Sequence, residues 1–321
     1  MAVKILLTGA TGFVGGALYR RFVAANANIV IALRNSAITP DTSAKSVEIS
    51  GIDGNTDWSE GLAGVGQVIH TAARVHVMSD AVSDSLAEYR KINVDGTLNL
   101  AQQAAAAGVR RFIFISSIKV NGKATLPGKP YRADDKPAPT DPYGISKMEA
   151  ENGLRVLSLQ TGMEVVIIRP VLVYGPGVKA NFLSMMCWVQ RGIPLPLAAI
   201  HNKRSLVALD NLVDLIVTCV EHPRAANQTF LVSDGEDLSV SDLLRRMAAA
   251  LGRPARLLPL PAVLLELAAA VLGKRDMAQR LCGSLQVDIS KTCELLGWSP
   301  PVSVDEALRR TAVHFLRSQG D

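Results

Sequence analysis

The sequence predicts an α/β fold: a doubly wound parallel sheet of Rossmann type, joined to a smaller, mostly helical C-terminal lobe. Three observations lead there. Short Val/Ile-rich runs alternate with helix-like segments through the first half of the chain, three glycines spaced three apart follow the first run, and the rhythm changes at Pro170.

Taken in order, "VKILLTG" (3–9) is the first strand and "ATGFVGGALYRRF" after it turns into a helix. "NIVIALR" (28–34), "VGQVIHTAA" (65–73), "RRFIFISS" (110–117) and "MEVVIIRP" (163–170) are the next strands, with helix-like sequence between most of them. Beyond Pro170, "VYGPGVKANF" is a Gly/Pro loop, and the remainder is mostly helical and broken by prolines. This divides the chain into a dinucleotide-binding domain, 1–170 with a return segment at about 206–235, and a substrate lobe of 171–205 and 236–321.

Composition narrows the function classes. A chain of 321 residues with 48% apolar content can bury a sizeable core. The formal charge of +5 is mild and forms no basic stripe interleaved with aromatics, which disfavours nucleic acid and leaves a small phosphorylated ligand compatible. Cys187, Cys219, Cys282 and Cys293 have no metal-ligand spacing, so no metal site is expected and the thiols read as reduced ones of a cytoplasmic protein. The N-terminus lacks the features of a signal peptide. "LLPLPAVLLELAAAVLG" (257–273) holds two prolines and Glu266 and is short for a bilayer span; a buried or interface helix is favoured over a membrane-surface contact.

Gly9, Gly12 and Gly15 stand between a strand and a helix, where missing side chains let backbone approach a pyrophosphate at the helix N-terminus. An acid at the end of the second strand would accept hydrogen bonds from a ribose 2′-hydroxyl. Here Arg34, Asn35 and Ser36 occupy that place, and a guanidinium with a hydroxyl suits a 2′-phosphate. NADP(H) is therefore the favoured cofactor, with NAD(H) as the alternative. "DPYGISK" sets Tyr143 and Lys147 four residues apart on one helix face. A free phenol has a pKa of about 10, and lowering it to about 7 needs roughly 4 kcal/mol, which the Lys147 ammonium and a nicotinamide cation are expected to supply.

The set "TGATGFVG", "HTAA" (70–73), "INVDGTLNL" (92–100), "FIFISSIKVNG", "YGISK" (143–147) and "IIRPVLVYGPG" (167–177) resembles the extended short-chain dehydrogenase/reductase family of nucleotide-sugar epimerases, reductases and dehydratases. The likeness runs through nearly the whole chain and is specific for fold and cofactor, less so for substrate. It implies that Tyr143 is the general acid/base, that Lys147 holds the nicotinamide ribose, and that Ser117 hydrogen-bonds the reacting oxygen. It further implies that Gly9, Gly12 and Gly15 face the pyrophosphate, with Phe13 and Val14 opening the helix. Ala72 and Ala73 would line the cofactor, Tyr174 would pack near the nicotinamide end, and Asn93 would brace the neighbouring strand. In the second lobe, Asn181 and Arg204 match places where relatives hold the substrate diphosphate. Relatives commonly dimerise, so a homodimer is among the expectations.

Two departures narrow the reaction. Ile118 and Lys119 stand where dehydratases of the family carry an Asp-Glu pair, so elimination of water is disfavoured. Arg34 replaces the acid of epimerases that retain NAD, which favours net reduction. "HTAARVHVMSD" (70–80) resembles a segment of the 4-reductases that make UDP-N-acetyl-quinovosamine for bacterial O-antigen, although relatives described as UDP-glucose 4-epimerases share it. Arg74 and His76 in that segment are candidate sugar contacts, His76 equally well a loop histidine with no role. The expectation is NADPH-dependent reduction of the 4-keto group of a UDP-4-keto-6-deoxy-N-acetylhexosamine. A UDP-hexose 4-epimerase is the alternative, and a non-catalytic NADP-binding regulator is the reading from another class.

Overall fold

The computed structural model describes residues 3–34, 45–75, 85–126, 128–271 and 281–319. Seven strands form one parallel sheet. They are β1 (Ile5–Thr8), β2 (Ile29–Leu33), β3 (Lys45–Glu48), β4 (Gln67–His70), β5 (Arg111–Ile115), β6 (Glu164–Pro170) and a late strand, β9 (Thr229–Val232). Their spatial order is β3-β2-β1-β4-β5-β6-β9, every ladder is parallel, and the winding reverses between β1 and β4. In such sheets the crevice at that reversal, beyond the carboxyl ends of the strands, is where a ligand sits.

The strands read as unbroken apolar runs because both faces are covered. Successive side chains point to opposite faces: Ile5 and Leu7 join one core, Leu6 the other. On the first face lie α1 (Phe13–Ala24), through Leu18, Tyr19 and Phe22, and α7 (Leu209–Glu221), through Leu212, Leu215 and Ile216. The short α2 (Ser59–Leu62) precedes β4, and α3 (Ser85–Arg90) runs into a π-helical turn (Lys91–Gly96) that continues as α4 (Thr97–Ala106). The second face is covered by α4, with Leu100, Ala101 and Ala104, and by α5 (Pro142–Thr161), with Ala150, Leu154 and Leu157.

The second lobe is mostly helical, as its sequence predicts, and adds a small sheet that the sequence does not announce. Strands β7 (Leu172–Tyr174), β8 (Arg204–Ala208) and β10 (Asp237–Leu238) form a separate sheet in the order β10-β8-β7. At two to five residues each they are too short for the periodicity of the sequence to register. Around them pack α6 (Ala180–Gln190), α8 (Val240–Ala250) and α11 (Val304–Arg317), sharing a core of Phe182, Met186, Leu244, Met247, Leu308 and Phe315. The remaining helices are α9 (Ala262–Val271), inside the apolar 257–273 segment, and α10 (Ser290–Leu296). Leu257 and Leu265 pack against the lobe's core, whereas Leu258, Val263, Leu264 and Leu267 are exposed in the single chain. No helix among the described residues is long and apolar enough to cross a membrane.

Candidate active site

The glycine loop connects β1 to α1. Gly9 has φ +75°, a left-handed conformation open to glycine, and its carbonyl accepts from the Gly12 N–H at 2.8 Å. Gly12 caps α1, is exposed, and is followed by a first turn that carries no acid. The N–H groups of that turn and the helix dipole therefore present a positive pole at the switch point. Gly15 has a different task from the one expected. It is buried against the loop: a Cβ there would lie 2.1 Å from the Gly9 carbonyl oxygen and 2.6 Å from Thr71 Oγ1, so it is a close-packing glycine rather than one facing a phosphate. Phe13 and Val14 open the helix, half-buried. This close, acid-free cradle fits a nicotinamide dinucleotide's diphosphate.

Arg34 directly follows β2 and is exposed. Asn35, Ser36 and His76 lie outside the described residues. Across the reversal, β4 ends in His70, whose Nδ1 bonds Thr8 Oγ1 at 2.8 Å and whose Nε2 bonds Thr97 Oγ1 at 3.1 Å. Burial pushes its pKa down to about 3, so it is a neutral strut between β1 and α4. Half-buried Ala72 and Ala73 follow, held by Thr71 Oγ1 donating to the Thr8 carbonyl at 2.7 Å. Asn93, from the π-helical turn, brackets the next residue: its Oδ1 accepts from Arg74 N at 2.8 Å and its Nδ2 donates to Arg74 O at 3.1 Å. The same amide donates to Ser146 Oγ at 3.0 Å, and Ser146 donates to the Tyr143 carbonyl at 2.8 Å. The loop after β4 and the start of α5 are thereby held as one piece.

Helix α5 begins with Asp141 as N-cap, accepting from Gly144 N at 2.7 Å, and Pro142 at its first position. Tyr143 is thus fixed in the first turn, half-buried, with the Tyr89 ring edge-on at 6.0 Å. Ser117, half-buried just past β5, accepts from Lys119 N at 3.3 Å and stands close enough to Tyr143 for its hydroxyl to favour the phenolate. One turn along α5, Lys147 is buried; its Nζ donates to the Ile115 carbonyl at 2.9 Å and lies 4.3 Å from the centre of the Phe114 ring. The lowering of the Tyr143 phenol is expected of Lys147 and a nicotinamide cation together, and the side chains by themselves act in the other direction. Burial, foremost, and then the Asp141 carboxylate push the phenol above its ordinary value, opposed by the Ser117 hydrogen bond. The Lys147 ammonium is directed at Ile115 and Phe114, and burial lowers its own pKa to about 7.

Behind this set stands a buried network that no local sequence motif announces. Glu151, one further turn along α5, accepts from Ser116 Oγ at 2.6 Å and from Arg169 Nε at 2.9 Å and Nη2 at 2.5 Å. Arg169 also donates to Asn121 Oδ1 at 2.9 Å. The spacing of Tyr143, Lys147 and Glu151 at successive helical turns is the signal that could have found it. Asp141 was likewise legible, as an N-cap type directly before a proline.

The remaining expected residues are dispersed. Tyr174 has no exposed surface: it stacks on Phe182 at 5.3 Å and donates to Asp234 Oδ2 at 2.8 Å, within the second lobe's core. That departs from its expected place beside a nicotinamide, because both its ring and its hydroxyl are turned into the second lobe. Arg204 is half-buried at the start of β8, its Nη1 donating to the Gly283 carbonyl at 3.2 Å, and Asn181 is exposed in the first turn of α6. Arg74 is half-buried, with Nη1 4.0 Å from Glu88 Oε2. Among the described residues, no group of three or more His, Cys, Asp or Glu is placed to hold a metal ion.

Known proteins with this arrangement were identified by sequence and by structure. The chain is 50% identical, over 99% of its length and 97% of the relative's, to a protein described as UDP-glucose 4-epimerase from Vibrio cholerae. It is 25% identical, over 96% of both chains, to the GDP-6-deoxy-D-mannose reductase of Pseudomonas aeruginosa. In structure it resembles MoeE5, solved in complex with UDP-glucose and NAD, at TM-score 0.78 and 24% identity over 98% of this chain and 99% of that one. The UDP-glucose 4-epimerase of Thermotoga maritima, solved with UDP-glucose, superposes at TM-score 0.76 and 22% identity, covering 99% of this chain and all of that one, 100%. Residues 5–233 match the profile of the NAD dependent epimerase/dehydratase family, and the chain belongs to it.

Proposed function

We propose that the chain is a UDP-hexose 4-epimerase using NAD(H). The observation that carries this reading is the half-identity, end to end, with the Vibrio cholerae relative, together with Ser117, Tyr143 and Lys147 gathered where the end of β5 meets α5. It reverses the order of preference drawn from the sequence, where reduction stood first.

The cofactor's part is to accept a hydride from C4 and to return it. The chain's own residues do the rest. Tyr143 takes the C4 hydroxyl proton and later gives one back, and Ser117 holds the same oxygen by hydrogen bond. Lys147 exchanges its Ile115 carbonyl for a ribose hydroxyl and supplies positive charge near the phenolate. The loop from Gly9 to Gly12 and the first turn of α1 hold the diphosphate of the cofactor. Arg204 and Asn181 hold that of the sugar, so binding energy far from C4 positions the reacting carbon. Arg74 is the candidate sugar contact on the loop after β4. Ile118 and Lys119 supply no carboxylate pair, in keeping with a reaction that eliminates nothing.

A second reading rests on Arg34. A cation in place of an acid after β2 favours NADP(H), and with it the NADPH-dependent reduction of UDP-4-keto-6-deoxy-N-acetylhexosamine to UDP-N-acetyl-quinovosamine in cytoplasmic O-antigen synthesis. The intact Ser117, Tyr143 and Lys147 argue against a non-catalytic NADP-binding regulator, which would have no use for them. One experiment separates all three: purified protein with UDP-glucose and NAD⁺, or with the keto-sugar and NADPH or NADH. Galactose-configured product without net cofactor change establishes the epimerase. Stoichiometric NADPH loss, weakened by Arg34→Asp, overturns it in favour of the reductase, and inactivity with both substrates supports a binding protein. In either catalytic case Tyr143→Phe is expected to cost about 10²- to 10⁴-fold in rate with thermal stability retained.

A further inference from the structure

Lys119 lies two residues beyond Ser117, in the 3₁₀ turn that follows β5. Its Nζ donates to Asp141 Oδ2 at 2.7 Å and stands 5.3 Å from the centre of the Tyr143 ring. Both partners of the pair are about one-third exposed, at 36% and 33%, so as a surface ion pair it adds little to stability. Its place is what matters. The other oxygen of the same carboxylate caps α5 by accepting from Gly144 N, one residue past Tyr143. A single aspartate therefore holds the turn that carries the phenol, sets a negative charge beside it, and receives the lysine.

Among the described residues, the remaining groups facing Tyr143 are few. Helix α3 brings the Tyr89 ring, with Glu88 and Arg90 on the same helix and Arg90 bonded to Glu149. The π-helical turn carries Lys91 and Asp95, both exposed. Lys147 follows on α5 with its ammonium on the Ile115 carbonyl, and the Ser117 hydroxyl stands beside the phenol and favours its ionised form. Of the charges named, Asp141 is the one that opposes a phenolate, and Lys119 is bonded to it.

We infer that Lys119 is a positioning residue for Tyr143: bonded to Asp141 and set against the phenol ring, it offsets the charge of the capping carboxylate beside the ring and fixes the ring in place. The inference rests on Tyr143 being the acid/base of the proposed reaction and adds a group that does not itself touch substrate. Its consequence is that removing the lysine raises the pH at which Tyr143 ionises, whereas a purely structural pair would leave that pH in place.

The test is a pH titration of the Tyr143 phenol by NMR of ¹³Cζ-labelled tyrosine in the NAD-saturated protein, with Tyr143→Phe assigning the resonance. Lys119→Met is expected to raise the midpoint by about half to one pH unit, three- to tenfold in ionisation, and Lys119→Arg to leave it near wild type. Asp141→Asn keeps a good helix cap. In that background Lys119→Met is expected to move the midpoint by less than half as much. A midpoint left in place by Lys119→Met, including a phenol that stays protonated to the pH of unfolding in every variant, overturns the inference. An equal shift with and without Asp141 overturns it too. Should the midpoint move as expected while neither epimerisation nor keto-sugar reduction is detected, the proposed function fails and the role of Lys119 stands.

Discussion

Replacing Lys147 by methionine is expected to stabilise the protein while removing its chemistry, and the gain should depend on pH in a defined way. Lys147 is 1% exposed, and burial, partly offset by Glu151, brings its pKa from 10.5 to about 7. At 1.36 kcal/mol per pH unit, holding the charged form inside costs about 5 kcal/mol at pH 7 and below. Methionine also loses the hydrogen bond to Ile115 and leaves that carbonyl unpaired, about 1–3 kcal/mol in the opposite sense. The net expected gain near pH 7 is about 2–4 kcal/mol. The sign follows from proton counting. Between about pH 7 and 10.5 the unfolded chain binds a proton at this lysine that the folded chain has released, so wild-type stability rises with pH in that window. The advantage of Lys147→Met must shrink across the same window by about 1.4 kcal/mol per pH unit. Urea unfolding of both proteins at pH 7, 8 and 9 without nucleotide measures it. A difference that stays constant over that range would refute the reasoning, because the lysine would then have an ordinary pKa in the folded state.

Other substitutions have equally definite outcomes. Gly15→Ala places a methyl group 2.1 Å from the Gly9 carbonyl oxygen. It should cost about 1–3 kcal/mol in thermal unfolding and abolish nucleotide binding by fluorescence titration, since the loop must move to admit it. Glu151→Gln leaves the Arg169 guanidinium, 1% exposed, without its carboxylate, and about 3–5 kcal/mol of stability should be lost in urea. Adding Arg169→Met to that variant should recover part of the loss, because no charge is then left stranded in the interior. The Cys219 thiol is buried and pushed up to about 12, so it should resist alkylating reagents at pH 8 until the protein unfolds, which mass spectrometry of partially labelled samples would read.

The major sheet was legible because its strands are covered on both faces, and continuous apolar runs such as "ILLT" and "RFIFI" carry that burial in their letters. Strand β3, "KSVE", buries only Val47 and lies at an edge, so nothing in its composition announces a strand. β9 belongs to the same sheet yet begins 59 residues after Pro170, a pairing that local periodicity cannot carry. Within the site, Ser117, Tyr143, Lys147 and the glycine loop were legible as local patterns. The direction of Lys147 was not, because it depends on the Ile115 carbonyl, 32 residues away in the chain. Tyr174 misled for the same reason: its neighbours in sequence form a Gly/Pro loop, while its hydroxyl is held by Asp234, 60 residues on.

Helix α5 carries its three successive polar turns in order of depth: Tyr143 half-buried at the rim, Lys147 buried beneath, Glu151 in the innermost network. That order makes inheritance asymmetric. A descendant that mutates the outermost turn discards the reaction and keeps a folded, nucleotide-holding shell, free to be retained for binding alone. A descendant that mutates the innermost turn loses the shell first and leaves nothing for selection to reuse. Lineages of this architecture can therefore fall silent without falling apart, and they do so from the rim inward.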